Sequence, residues 1–150
     1  MTWEGLVYAM FLPSSLEACQ GAGRVIGDEL YAAAGNTGTQ GMTRFVERMN
    51  ERADELGMTN TVYFDVYGGS KTFSPDVVRN TITARDLAVL TEEVFSHGTL
   101  RSIAGSPTAN GGVTGGRTTT LNFTNYHPFT NGPPVHQPGV KDRNPEGGED

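Results

Sequence analysis

The amino-acid sequence predicts a mainly α-helical fold with one small β-hairpin. Apolar residues recur at helical spacing through most of the first 98 residues, and these segments begin at residues suited to cap a helix. From about residue 109 threonines alternate with other residues around Gly115-Gly116, a turn signal typical of hairpins. Glycines and prolines cluster at 105–116 and 131–150, where we expect turns and irregular chain.

Two helices are predicted at the start of the chain. Thr2 is placed to cap a short helix through Leu12, which Pro13 ends. Ser14 reads as the N-cap of a second helix, with Glu17 three residues on in a capping box. This helix is expected to run to about residue 34, and its many small residues allow close packing against neighbouring elements.

The third helix has the clearest pattern. Apolar residues recur at helical spacing over Met42–Leu56, and Gly57 is a natural stop. We therefore expect Phe45 and Met49 to be buried. Glutamates and arginines spaced four apart occupy the other face, where they can form ion pairs.

A fourth helix is predicted to begin at the cap residue Thr83, with Asp86 at its third position, and to end at His97-Gly98. The side chains expected to face inward are Leu87, Leu90, Val94 and Phe95. The hairpin strands follow at 109–114 and 117–123. We divide the chain into a folded domain, 1–130, and a polar tail rich in proline and glycine, 131–150.

Composition excludes several classes of protein. A net charge of −6 argues against nucleic-acid binding, which requires a basic surface. The single Cys19 excludes an internal disulfide and a cysteine-based zinc site, and nothing in the sequence calls for a cofactor or metal. No apolar run approaches the roughly 20 residues that span a membrane. The first 12 residues include Glu4 and no basic residue, so no export signal is predicted.

Four segments, in order, resemble the D-alanyl-D-alanine carboxypeptidases of the low-molecular-mass penicillin-binding type. The run at 3–14 is similar to the helix that leads to the second active-site motif of that family. The other three are the FV-x-x-MN helix with its LG and NT exit at 45–61, TARDLA at 83–88, and a hairpin ending in N-x-TN at 115–125. The resemblance covers about residues 2–126. It implies the helical subdomain of the α/β penicillin-binding and β-lactamase-like serine hydrolase fold, incomplete here.

The resemblance also implies site residues. Family members carry Ser-x-x-Lys, Ser-x-Asn and Lys-Thr-Gly motifs, the first being the nucleophile with its activating lysine. Ser14 matches the serine of the second motif and is the candidate catalytic residue, while Leu16 stands where the family has asparagine. Lys141 is the candidate third-motif lysine, followed by Asp and Arg instead of Thr and Gly. These 150 residues contain no Ser-x-x-Lys.

The function that the resemblance implies is acyl transfer on peptidoglycan stem peptides, or on a related small acyl substrate, outside the cytoplasmic membrane. The chain would be a truncated or altered relative. The alternatives are a non-catalytic binding module, or an esterase- or lactamase-like hydrolase with a different nucleophile. An incomplete core would expose apolar faces, which homo-oligomer formation could cover.

Each candidate residue also has a purely structural interpretation. Ser14 could simply cap a helix, and Lys141 could be a solvated tail residue. Cys19 is expected to be a packed small side chain, and His97 to complement a helix dipole. A triad of Ser14, His127 and a carboxylate is a further hypothesis, which no Gly-x-Ser-x-Gly motif supports.

Overall fold

The computed structural model describes residues 1–38, 40–68, 70–71, 78–113 and 119–126. Within this part, the helices are α1 Trp3–Phe11, α2 Leu16–Ala33, α3 Gly41–Glu55, α4 Ala84–Ser96 and α5 Gly98–Gly105. The strands are β1 Ser70–Lys71, β2 Val78–Arg79, β3 Thr108–Val113 and β4 Thr119–Thr124. The predicted mainly α fold is confirmed. The predicted tail, 131–150, lies outside the described residues, so the division at residue 130 stays a prediction.

The caps of α1 and α4 are those predicted. The hydroxyl oxygen of Thr2 accepts a hydrogen bond from the backbone N–H of Gly5 at 3.2 Å. Thr83 does the same for the N–H of Asp86 at 3.1 Å. Each cap satisfies one of the N–H groups that a helix start leaves without a partner.

The predicted cap of α2 is wrong by one residue. Ser15, not Ser14, accepts the hydrogen bond from the N–H of Ala18, at 3.2 Å. The backbone explains the difference, since Ser15 is extended with φ −68° and ψ 121°, whereas Ser14 has φ +54°. An N-cap residue whose side chain caps the helix typically has the extended conformation. The predicted capping box is absent, because the Glu17 carboxylate instead accepts from the Ser15 hydroxyl at 2.9 Å.

Helices α2 and α3 pack through glycine. Gly27 and Gly41 are both buried. A β-carbon added at Gly27 would overlap the carbonyl oxygen of Gly41, and one added at Gly41 would overlap the side chain of Asp28. The prediction that small residues let α2 approach its neighbours closely is therefore confirmed.

The core lies around α1. Its buried members are Ala9, Leu12, Ala18, Ile103 and Phe123, contributed by α1, α2, α5 and β4. The β3–β4 hairpin lies against α1, where the N–H of Thr2 donates to the carbonyl of Gly112 at 3.0 Å. The predicted hairpin is confirmed, with Thr108 opposite Thr124 and Val113 opposite Thr119. Its predicted Gly115-Gly116 turn lies outside the described residues.

Two expectations about burial are wrong. Phe45 and Met49 of α3 are half-buried rather than buried. Leu87 and Phe95 are exposed, at 50% and 44% of their surface. The reason is that Asp86 takes the inward position on α4 with 2% exposure, which turns Leu87 outward. The predicted end of α4 at His97-Gly98 is confirmed, because His97 is its C-cap, and a further helix that the sequence did not predict, α5, begins at Gly98.

In the described part of the chain, no helix combines the length and apolar character required to cross a membrane.

Candidate active site

Ser14 lies in the tight junction between α1 and α2. Backbone hydrogen bonds hold this junction from two sides. The N–H of Ser15 donates to the carbonyl of Ala9 at 2.9 Å, and the N–H of Tyr126, just after β4, donates to the carbonyl of Leu12 at 3.2 Å. Leu12 itself is almost completely buried. The junction therefore has a fixed geometry on which Ser14 is displayed to solvent.

The backbone of Ser14 adopts the left-handed conformation, φ +54°. This conformation costs a non-glycine residue roughly 1–2 kcal/mol. Such outliers persist where the surrounding structure enforces them, and they occur often at functional sites. The packing and hydrogen bonds of the junction supply that enforcement here.

The Ser14 hydroxyl is available to a ligand. Ser15 performs the capping of α2, and no described residue forms a hydrogen bond with the Ser14 side chain. The hydroxyl lies beside the N-terminus of an 18-residue helix, where the helix dipole favours negative charge. A hydroxyl in this position can donate a hydrogen bond to a developing anion or pass a proton.

Leu16 is the first residue of α2 and is half exposed. It adds an apolar surface two residues after Ser14, and it cannot form the polar contacts of an asparagine amide. Lys141, His127 and His136 lie outside the described residues. Of the three predicted site residues, the structure therefore places Ser14 and Leu16 close together, and Lys141 stays a prediction.

Cys19 and His97 have structural surroundings. Cys19 is half-buried, and burial raises the pKa of its thiol, which disfavours the reactive thiolate. The imidazole Nε2 of His97 lies 3.6 Å from a carboxylate oxygen of Glu93. In the described ranges, no group of three or more His, Cys, Asp or Glu side chains is arranged to hold a metal ion.

Asp86 is a residue whose role the sequence analysis missed. One oxygen of its buried carboxylate accepts hydrogen bonds from the N–H of Asn60 at 3.0 Å and from the hydroxyl of Thr61 at 2.9 Å. Asp86 thereby joins the start of α4 to the segment that follows α3. Burial, together with the Asp86 charge, raises the pKa of the Tyr63 hydroxyl.

Two asparagines, one buried and one half-buried, also join segments of the chain that are separated in the sequence. The Asn125 amide donates to the carbonyls of Ala104 at 2.8 Å and Ser106 at 3.0 Å. The Asn50 amide exchanges hydrogen bonds with both backbone groups of Tyr63, each at 2.8 Å. These residues lie within the sequence segments that carry the family resemblance. Their position in these segments was the signal by which the sequence could have identified them. Their hydrogen bonds show that they fix loops.

An apolar groove lies elsewhere, between α3 and α4. It has a volume of about 410 Å³, and its lining includes Phe45, Met49 and Leu90 but neither Ser14 nor Leu16. Arg52 on its rim pairs with Glu93 of α4. The groove explains why the apolar face of α3 is only half-buried, and it is separate from the candidate site.

Comparison with known proteins gives a family and a fold. A family model described as D-alanyl-D-alanine carboxypeptidase matches residues 32–138. The chain is similar to the crystal structure of a D-alanyl-D-alanine carboxypeptidase from Mycobacterium tuberculosis H37Rv. The TM-score is 0.66 at 21% identity, over 87% of this chain and 42% of that one.

A second similar structure is a penicillin-binding protein homolog from Mycobacterium tuberculosis. The TM-score is 0.60 at 22% identity, over 83% of this chain and 40% of that one. The chain thus spans about two fifths of the length of these two proteins. No match was found among curated proteins.

The family match covers the residues that fix the loops but not the candidate site residues. Its range, 32–138, includes α3, α4, α5 and the hairpin, and the clamps formed by Asn50, Asp86 and Asn125 all fall inside it. Ser14, Leu16 and Lys141 fall outside it. The matched range is well over half of the sequence, and the structural similarity extends across most of the rest. This chain belongs to the D-alanyl-D-alanine carboxypeptidase family.

Proposed function

We propose that the chain forms part of a serine-type D-Ala-D-Ala carboxypeptidase-like hydrolase, which performs acyl transfer on the stem peptides of peptidoglycan. The observation that carries the proposal is the display of Ser14 at the α1–α2 junction. Its backbone is left-handed, its hydroxyl has no partner among the described residues, and the neighbouring Ser15 caps the helix in its place. Family resemblance assigns the second active-site serine to this position.

In the proposed reaction, Ser14 passes a proton near the nucleophile and the leaving group. The N-terminus of α2 favours the negative charge that develops in the transition state. Leu16 offers no amide to the substrate backbone, so we expect weaker substrate binding than an asparagine would give. Because the 150 residues contain no Ser-x-x-Lys, the nucleophile is not assigned to any residue of this chain.

Three further points complete the proposal. Lys141 would contribute positive charge for the substrate carboxylate. The site would act outside the cytoplasmic membrane, as in the family. The exposed side chains of Leu87 and Phe95 support self-association of the chain, since apolar surface of this kind favours contacts between copies.

The proposal is tested with a chromogenic β-lactam, which mimics the substrate. We expect the lactam to shift the amide NMR signals of Ser14–Ala18 while the intact mass of the chain stays unchanged. A stoichiometric mass adduct would contradict the assignment of Ser14 as a proton relay and would place a nucleophile within these residues. An unchanged NMR spectrum would contradict substrate binding at the junction.

Variants separate this site from the other hydrolase hypothesis. If the lactam or a generic ester is hydrolysed, Ser14→Ala should abolish the activity, while Cys19→Ala and His127→Ala should not. Loss of activity in His127→Ala with normal activity in Ser14→Ala would favour a hydrolase with a different nucleophile.

A non-catalytic binding module is the second candidate, favoured by the absence of Ser-x-x-Lys and by Leu16 at the asparagine position. The two candidates separate when a Ser-x-x-Lys helix of the family is fused ahead of Met1. Turnover that falls in Ser14→Ala would support the hydrolase. Lactam binding without turnover would support the binding module.

A further inference from the structure

We propose that the cleft between α1 and α5 is a glycan subsite that binds an N-acetylhexosamine residue of the peptidoglycan strand. The inference rests on the proposed function, because it is peptidoglycan that joins such sugars to stem peptides. The cleft has a volume of about 610 Å³. This falls within the roughly 300–1,000 Å³ typical of small-molecule sites.

Aromatic rings form one side of the cleft. Trp3 lines it with 52% of its surface exposed, and Tyr8, five residues further along α1, lines it as well. A pyranose ring has an apolar C–H face, which can cover the flat apolar surface of an indole or phenol ring. Aromatic side chains of this kind supply large contact area while their polar atoms keep hydrogen-bond partners.

Polar groups lie beside these rings. The carboxylate of Glu4 accepts a hydrogen bond from the Tyr8 hydroxyl at 3.3 Å and is otherwise exposed. Thr99 and Ser102 of α5 also line the cleft, with exposed side chains. Carboxylate and hydroxyl oxygens are suitable partners for the ring hydroxyls of a sugar. The buried Ile103 forms an apolar floor that suits an acetamido methyl group.

The charge of the lining disfavours anionic ligands in this cleft. Glu4 is the one charged residue in the described lining, which contains no Lys, Arg or His. A phosphate or carboxylate ligand would therefore meet a negative charge with nothing to balance it. A neutral, hydroxyl-rich ligand with an apolar face fits the lining better.

The cleft is lined by the first two turns of α1, from Trp3 to Tyr8, and Ser14 follows the end of this helix. Trp3 begins this helix and Phe11 ends it, a distance of about 12 Å at 1.5 Å per residue. A glycan held in the cleft could therefore direct its attached stem peptide along α1 toward Ser14. The two sites would bind two parts of one polymer.

The test uses the only tryptophan in the sequence, which lines the cleft and reports on it directly. Chitotriose, a trimer of N-acetylglucosamine, should change the Trp3 fluorescence in a saturable manner. Cellotriose, which lacks the acetamido groups, should have a weaker effect. Thr99→Val should weaken chitotriose binding roughly 2- to 10-fold, and Glu4→Gln roughly 10- to 100-fold, as expected for loss of a neutral and of a charged hydrogen bond. Thr43→Val, an exposed threonine on α3, is the matched control and should bind normally.

The outcomes separate this inference from the proposed function. No fluorescence change, or equal affinity in Glu4→Gln, Thr99→Val and Thr43→Val, would overturn the glycan subsite. The lactam response at Ser14–Ala18, measured on the same sample, tests the proposed function independently. A sugar response without the lactam response would support the cleft and contradict the function proposed for Ser14.

Discussion

Ser14 and Ser15 are adjacent but have opposite backbone conformations and different roles. Ser15 stabilises α2 as its cap, whereas Ser14 occupies a conformation that glycine would adopt more easily. We expect Ser14→Gly to raise the free energy of unfolding by about 0.5–1 kcal/mol, because it relieves the left-handed backbone. Ser15→Ala should lower it by about 1 kcal/mol through loss of the cap. Urea denaturation measures both, and equal effects of the same sign would contradict the assignment.

Asp86 gives a second prediction at this scale. Asp86→Ala removes an acceptor that serves the Asn60 N–H and the Thr61 hydroxyl in a buried setting. We expect a loss of about 3 kcal/mol, since each hydrogen bond to a charged group contributes about 1.5–3 kcal/mol and the freed donors stay partly buried. Asp54→Ala, an exposed aspartate on α3, is the control and should change stability by less than about 0.5 kcal/mol. A loss in Asp86→Ala no larger than in the control would contradict the clamp.

The sequence predicted well those features of a residue that depend on its neighbours in the chain. It predicted poorly those that depend on residues distant in the sequence. The caps Thr2 and Thr83 were predictable because a cap depends on the next three residues. The left-handed backbone of Ser14 was not, since it results from the packing of the whole junction. The burial of Asp86 was not predicted either, because its partners at Asn60 and Thr61 are remote in sequence.

The contact between α2 and α3 depends on the absence of a side chain at Gly27. Gly27→Ala places a methyl group on the backbone carbonyl of Gly41, which cannot rotate away. We expect destabilisation by about 1–3 kcal/mol or more, the range for an overpacked core. Gly21→Ala is the matched control on the same helix, since its nearest neighbour would be a Leu6 methyl group at 3.8 Å. That change should be neutral or stabilise by up to about 1 kcal/mol through helix propensity. Thermal melts that rank the two variants in the reverse order would contradict the close approach.

The solvent-exposed face of α3 carries a series of linked ion pairs, the ion-pair ladder. Arg48 bonds Glu55 at 2.7 Å and Arg52 bonds the same carboxylate at 2.8 Å. Hydrogen bonds from Arg48 and then Arg52 lower the pKa of Glu55 from 4.5 to about 2. A carboxyl with a lowered pKa contributes to stability above its unfolded value. That contribution is lost as the pH falls from about 4.5 through about 2.

The ladder predicts how Glu55 titrates. Carboxyl-detected NMR at low salt should give a midpoint near 2, and Arg48→Gln should move it toward 4.5. High salt should have the same direction of effect, because these side chains are exposed and screened. A midpoint near 4.5 in the unsubstituted chain would contradict the ladder.

At the scale of elements, the spacing of apolar residues identified the helices but not which face of each helix points inward. Four of the five helices were predicted near their observed bounds. The inward face of α4 was predicted incorrectly, because hydrophobic spacing alone cannot show that Asp86 takes a buried position. α5 was missed, since a glycine after a helix is the usual stop signal and here it begins the next helix.

In the part of the chain that the structure describes, the hydrophobic core forms around α1, while α3 packs on α2. The hairpin, α2 and α5 all contact α1. The proposed glycan cleft lies along its first two turns, and the candidate site follows its last residue. The resemblance in the sequence predicted the family, and the family match confirms it. The segments that carried the resemblance fix the fold through Asn50, Asp86 and Asn125, whereas the motif residues around Ser14 depart from the family pattern. Sequence therefore specified the scaffold more fully than the chemistry of the site.

The central claim is that the α1–α2 junction recognises the D-Ala-D-Ala end of a stem peptide. The most direct test is an NMR titration of the isotope-labelled chain with diacetyl-Lys-D-Ala-D-Ala, with diacetyl-Lys-L-Ala-L-Ala as the stereochemical control. We predict shifts of the Ser14–Ala18 amides with the D,D peptide, reduced in Ser14→Ala and small with the L,L peptide. Equal responses to the two peptides, or D,D shifts that leave Ser14–Ala18 unchanged, would contradict the account.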